Sequence, residues 1–165
     1  MLIREATGDD WEQIFAFWAP IVAAGETYAY PEDLTSEAAR ALWMPGAPDR
    51  TVVAVEGGRV LGSAKMGPNR PGRGSHIATG SFMVDPSCGG RGVGRALGEE
   101  LLRWARAEGY RGIQFNAVVE TNTTAVRLWR RLGFQIVGTV PGAFRRSTGE
   151  YVGLHVMMLD LASDE

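Results

Sequence analysis

The stretch VDPSCGGRGVGRALGEELL, residues 84–102, constrains this chain more tightly than any other. A β-rich run ends at Val84, and a helical pattern begins near Val93. Gly89, Gly90, Gly92 and Gly94 fall within six positions between them, with Arg91 and Arg95 interleaved. A helix N-terminus carries free N–H groups and a partial positive charge. Glycines let that backbone close around phosphate oxygens, and arginines add charge. No acidic residue stands between Asp85 and Glu99. The junction is expected to hold a phosphate-bearing ligand. The competing reading is a glycine turn that only permits tight strand–helix packing.

Composition narrows the ligand. Seventeen basic residues stand against nineteen acidic ones, a net charge of −2. That argues against a general nucleic-acid binder, which needs a basic excess. An anion must be met locally. One cysteine, Cys88, excludes an intrachain disulfide and fits a reducing cytoplasm. Cys88 is read as structural and not as a nucleophile. The first residues are charged from Arg4 onward, with no apolar core of signal length and no apolar run of membrane-spanning length anywhere. A cytoplasmic protein without a membrane partner is expected.

Periodicity places the elements. Leu2 to Arg4 reads as a strand. Thr7 and Asp10 form a capping-box start for a helix with a stripe of Trp11, Ile14, Phe15, Trp18, Ile21 and Val22. A second helix covers residues 36–44 behind Thr35. Gly57-Gly58 joins two β-rich runs as a hairpin. GPNRPGRGS, residues 67–75, is a loop, either a long turn or a mobile flap. A strand over 76–84 and a helix over 93–108 follow. Next come the β-rich GIQFNAVV and a helix capped by Asn122. That helix buries Ala125, Val126, Leu128, Trp129 and Leu132. FQIVGTV and YVGLHVMML are the last strands, with PGAFRRSTGE between them. The order β-α-α-β-β-β-α-β-α-β-β predicts one domain over residues 1–165. It is an α/β (α+β mixed) fold with a central sheet of about seven strands and helices on both faces.

Two phosphate motifs are excluded or weak. A P-loop needs Gly-Lys-Ser/Thr, which is missing. Gly92, Gly94 and Gly98 give a loose dinucleotide pattern, but it follows the fourth strand-like run, and no acid ends the next strand to hold a ribose.

The turn resembles the acyl-CoA pyrophosphate loop of the GNAT acetyltransferases, Gln/Arg-x-x-Gly-x-Gly/Ala. It aligns as Gly89-Gly90-Arg91-Gly92-Val93-Gly94, with Gly89 departing from the first position. A second motif, Asn-x-x-Ala-x-x-Leu-Tyr-x-x-x-Gly-Phe, matches at Asn122, Ala125, Leu128, Gly133 and Phe134. SFMVDP, GTVPGAF and GLHVMML resemble a bacterial subgroup acting on small molecules. The resemblance implies acetyl-CoA as co-substrate and no metal. It assigns the pantetheine arm to a splayed strand at Phe82, Met83 and Val84, with Asn122 and Ala125 opposite. The pyrophosphate falls to residues 89–95, including Arg91 and Arg95. Trp129 stands where the family often has a tyrosine acid.

The implied reaction is N-acetylation of a primary amine on a small molecule, such as an amino acid, in a ternary complex. It requires alignment, a proton acceptor, an oxyanion donor and protonation of the departing thiolate. The donor is expected among strand amides near Met83 or Val84. Glu26, His76 and Glu150 are the candidate bases, Glu26 and His76 foremost; an imidazole titrates near neutrality. Tyr28, Tyr30, Phe144 and Arg145, with Glu26, are candidates for the acceptor pocket, where an arginine favours a carboxylate-bearing acceptor. His155 is read as packed against the sheet. A homodimer is implied by resemblance alone. The competing functions are a CoA-binding sensor without catalysis and a protein-tail acetyltransferase.

Overall fold

Side-chain alternation along the inner strands sets the layers of the molecule. The computed structural model describes residues 1–162. Its strands are β1 (Leu2–Glu5), β2 (Arg50–Glu56), β3 (Arg59–Pro68), β4 (Ile77–Val84), β5 (Gly112–Val119), β6 (Gln135–Arg145) and β7 (Tyr151–Asp160). Its helices are α1 (Trp11–Ala24), α2 (Ser36–Trp43), α3 (Val93–Ala107) and α4 (Thr123–Arg131). The strands form one sheet in the order β1-β2-β3-β4-β5-β7-β6. Val52, Ala54 and Leu61 face a core containing Leu97, Leu101 and Trp129 of α3 and α4. Their neighbours Val53 and Val60 face a second core with Ile14, Trp18 and Trp43 of α1 and α2. A period of two thus sandwiches the sheet between two helical layers. Each fully buried Leu, Ile or Val contributes about 1.5–3 kcal/mol relative to exposure.

Local signals hold the helices where the sequence predicts them. Asp10 accepts from the Thr7 N–H at 2.7 Å and takes both arms of the Arg4 guanidinium at 2.8 Å. One 3-10 turn, Gly8–Asp10, precedes α1, so the helix proper starts at Trp11. Phe17, not singled out by the stripe, is buried with Trp11, Ile14, Trp18 and Val22. Thr35 accepts from Ala38 N–H at 3.1 Å to cap α2. Gly109 and Gly133, at φ 78° and 100°, close α3 and α4.

β6 differs from expectation. It runs on through Pro141 to Arg145, a segment read from sequence as a connection. A register shift between Val140 and Phe144 absorbs Pro141 and Gly142, so pairing with β7 resumes at Phe144 opposite Val152. β6 is an edge strand, where a proline need not donate to a ladder.

The feature that places the site is a divergence. β4 and β5 are the one parallel pair among the described strands. They are paired only at Ile77 with Gly112 and Ala78 with Ile113. Beyond that point the strands separate, and β5 bulges between Phe115 and Val118 against β7.

The Asp10 junction yields a stability prediction. The Arg4 guanidinium foremost, then Thr7, holds the Asp10 carboxyl below its ordinary 3.8 despite desolvation. A lowered pKa contributes stability present above pH 3.8 and lost as pH falls through the depressed value. Asp10→Ala is expected to cost about 1–2 kcal/mol in denaturant unfolding at pH 7. The difference from wild type should shrink in strong acid.

Candidate active site

The gap between β4 and β5 opens into a cleft of about 820 Å³. Its walls come from the loop after α1, from β4 and β5, from the start of α3 and from one face of α4. Beneath the divergence lies an aromatic wedge. Phe82 meets Trp129 at 4.6 Å between ring centroids, and Phe115 meets Trp129 at 4.7 Å and Phe134 at 4.4 Å. Trp129 is buried. Its indole fills the floor and offers no acid for a leaving thiolate. Gly98 permits this arrangement, because a Cβ there would lie 2.7 Å from Leu132 and 3.0 Å from Trp129.

Strand parity decides which β4 amides face the gap. Asp85 N–H donates to Leu61 O of β3 at 2.9 Å. Antiparallel pairs alternate, so Met83 and Ser81, in register with Ser63 and Lys65, also turn their backbone groups toward β3. Phe82 and Val84 therefore turn theirs toward the gap. Of the two positions expected to supply an oxyanion donor, Val84 faces the cleft and the Met83 amide does not. Phe82 is a third position that the sequence reading did not name as a donor. Its N–H and C=O are both met by the Tyr28 hydroxyl.

The glycine junction forms the far end. Gly90 and Gly92 sit at φ 76° and 77°, the left-handed region that glycine adopts without strain. Gly92 precedes α3, and the first intrahelical bond runs from Ala96 N–H to Gly92 O. The amides of Val93, Gly94 and Arg95 thus lie in the first turn, ahead of the helical ladder. Gly89, Gly90, Gly92, Val93, Gly94 and Arg95 line the cleft. Arg91 is not among the lining residues and pairs with Glu56 at the end of β2. Arg95 pairs with Glu99 at 2.8 Å. Asn122 lines the cleft while its Oδ1 accepts from Ala125 N–H at 3.3 Å. Capping α4 and facing the cleft are compatible roles.

The expected bases lie elsewhere. His76 lines a separate depression with Ser75, Glu108, Gly109 and Tyr110, before the start of β4. Glu26 does not line the cleft, although its neighbours Thr27 and Tyr28 do. Its carboxylate accepts from Ser147 Oγ at 2.5 Å and from Arg146 Nε at 2.9 Å. Ser147 foremost, then Arg146, holds it below its ordinary value of 4.5, which makes it a weaker base. Together with Ser147 N–H to Gly25 O at 3.2 Å, this ties the loop after α1 to the β6–β7 turn. Glu150 accepts from Arg146 at 2.9 Å on the outside of that turn. His155 meets Thr139 across the β6–β7 pair at 2.7 Å. Among the described residues, no Asp, Glu or His lines the cleft.

Of the residues expected to shape an acceptor pocket, Tyr28, Tyr30 and Phe144 line the cleft, while Arg145 is exposed outside it. Thr124, Arg131 and Asn116 are cleft residues that sequence reasoning missed. Asn116 donates to Asn69 Oδ1 at 2.7 Å, tying the β3–β4 loop to the β5 bulge. The alternation of Gln114 and Asn116 around Phe115 was a signal for their outward face. The bulge itself leaves no mark in the sequence.

The chain is similar to known proteins throughout. The model of the Acetyltransferase (GNAT) family matches residues 10–134. A GCN5-related N-acetyltransferase from Kribbella flavida superposes with a TM-score of 0.94 at 57% identity, covering 97% of each chain. The acetyltransferase yncA from Salmonella typhimurium, solved with its cofactor acetyl-CoA, gives a TM-score of 0.83 at 26% identity. That match covers 98% of this chain and 94% of yncA. The L-amino acid N-acetyltransferase AaaT of Escherichia coli is 28% identical over 165 residues, 95% of this chain and 96% of its own. Two other curated relatives are longer, and the matched segment spans 51% and 13% of their lengths.

Gly92 tests the junction directly. Gly92→Val forces a β-branched residue to φ 77° and is expected to destabilise the fold by roughly 1–3 kcal/mol in chemical denaturation. An unchanged midpoint would show that the left-handed turn is not required.

Proposed function

The chain belongs to the Acetyltransferase (GNAT) family, and on that premise we propose that it acetylates a primary amine of a small molecule using acetyl-CoA. The observation that carries this reading is the gap beside β4, which presents the backbone groups of Val84, and those of Phe82 behind the Tyr28 hydroxyl, and leads to the first turn of α3. A pantetheine arm carries amides that pair with exposed strand backbone, and a diphosphate fits free N–H groups at a helix start. The left-handed turns at Gly90 and Gly92 suit such a cradle. Gly89, Val93, Gly94 and Arg95 complete the diphosphate end, with Arg91 adding charge behind it. Asn122, Ala125 and Trp129 flank the arm.

Tyr28, Tyr30 and Phe144 shape the acceptor end. The similarity to AaaT, an L-amino acid N-acetyltransferase, supports an amino acid as the acceptor class. Co-substrate placement supplies a large share of the rate, because two bound reactants react at a high effective concentration. Among the described residues the walls supply no carboxylate or imidazole, so the amine reacts in its neutral form after losing its proton to water. A reducing cytoplasmic setting and a homodimer complete the proposal. Among the described residues no helix is long and apolar enough to cross a membrane.

The competing sensor function makes a different prediction for one assay. Incubation with acetyl-CoA and a panel of amines, amino acids included, should release free thiol in an amine-dependent way. Tight coenzyme binding without such release would replace the enzyme with a sensor. Two further outcomes are expected. Gly92→Val should weaken CoA binding by about tenfold or more in calorimetry, since one charge-assisted hydrogen bond is worth roughly 1.5–3 kcal/mol. For the active acceptor, kcat/KM should rise with pH and level off near the amine's own pKa, moving with the amine chosen. An inflection near pH 6–7 that stays fixed across amines would point instead to a protein base.

A further inference from the structure

Tyr28 makes an unusual contact for a residue in an acceptor loop. Its Oη accepts from the Phe82 N–H at 2.8 Å and donates to the Phe82 carbonyl. By strand parity these groups face the gap, two residues before Val84. The ring is held by stacking. It stacks on Tyr30 at 5.5 Å with a 10° interplanar angle, and Tyr30 packs on Trp18 at 5.4 Å.

We propose that Tyr28 is a further catalytic residue, whose hydroxyl and the Phe82 N–H together form the oxyanion hole for the thioester carbonyl. This rests on the acetyl-transfer reading above. The Tyr28 oxygen sits where the Phe82 N–H would receive a carbonyl oxygen, so an incoming thioester oxygen displaces it from that N–H and comes to lie beside the phenolic O–H. A stabilised oxyanion calls for preorganised donors aimed at one point. The Met83 amide is committed to β3 and the Val84 amide lies two residues further along the gap, so the strand supplies one such amide beside Tyr28. Tyr28 supplies the second. When a substrate oxygen takes the N–H, the phenolic O–H turns from the Phe82 carbonyl to that oxygen, a stronger acceptor once it carries charge.

Tyr28 acts as a hydrogen-bond donor and keeps its proton. Desolvation, its largest influence, pushes its pKa above the ordinary 10.0. A thiol such as that of cysteine, about 8.5, is the stronger acid, so proton transfer from Tyr28 to the thiolate would run uphill. In the reaction the amine lone pair forms the C–N bond and the carbonyl π pair moves to oxygen. Its return breaks the C–S bond and leaves that pair on sulfur. One proton leaves nitrogen and one reaches sulfur, both exchanged with water.

The test uses acetyl-CoA labelled with ¹³C at the thioester carbonyl. Its infrared stretch on the wild-type protein is expected to lie below that of the free compound. In Tyr28→Phe, which keeps the stacked ring, it should move back toward the free value while CoA affinity is unchanged. With an active acceptor, kcat in Tyr28→Phe should fall about 10²-fold at unchanged KM for acetyl-CoA. An identical band in both proteins overturns the proposal and leaves the acetyltransferase reading intact. So does unchanged kcat with tighter coenzyme binding, which would make the hydroxyl a plug. An unshifted wild-type band overturns it even if Tyr28→Phe does not fold. Failure of the wild type to bind acetyl-CoA removes the acetyltransferase reading as well.

Discussion

The separation of β4 from β5 after two paired residues is the constraint on which the rest depends. A parallel pair that continued in register would consume the backbone groups of Phe82 and Val84. The separation leaves them facing a cleft. Two features hold it open. The rings of Phe82, Phe115 and Trp129 fill the space below, and β5 spends its register in a bulge against β7. The close approach of α3 and α4 that seats Trp129 depends on Gly98 having no side chain. Bulk and absence of bulk are thus matched across one interface.

Charge plays a smaller part at the glycine junction than the arginine content suggests. Arg91 and Arg95 are both paired with glutamates, and the chain as a whole is acidic. The glycine turn and first helical amides are fixed dipoles that need no free cation. Surface ion pairs of this kind add little stability in water. Their acidic partners nevertheless temper the positive field that a passing polyanion would meet. The cleft walls follow the same pattern at the reacting end. They offer backbone and hydroxyl groups, with no carboxylate or imidazole among the described residues.

The loop after α1 links the two ends. Glu26 anchors it to Ser147 and Arg146 of the β6–β7 turn, while Tyr28 two residues on reaches the β4 backbone. The Glu26 carboxylate, expected as a base, tethers the loop, and Tyr28, expected in the pocket wall, lines the cleft and is a backbone partner as well. Both readings placed the loop at the site. They differed on which side chain touches what, because a two-residue step in an irregular loop reverses direction without any periodic signal.

The order of strands and helices, the caps at Thr7, Thr35 and Asn122, and the glycine junction were legible in the chain alone. Each is a local property, set by side-chain period, by one capping oxygen or by freedom at positive φ. The family resemblance was legible for the same reason, since its motifs are contiguous. Tertiary structure decided what contiguity does not carry. It turned the Phe82 backbone toward the gap and that of Met83 away, paired Arg91 with Glu56, and placed His76 in a separate depression. It also extended β6 through Pro141 by a register shift. These outcomes depend on which strand lies beside which and on where pairing stops, and those are relations between segments far apart in sequence.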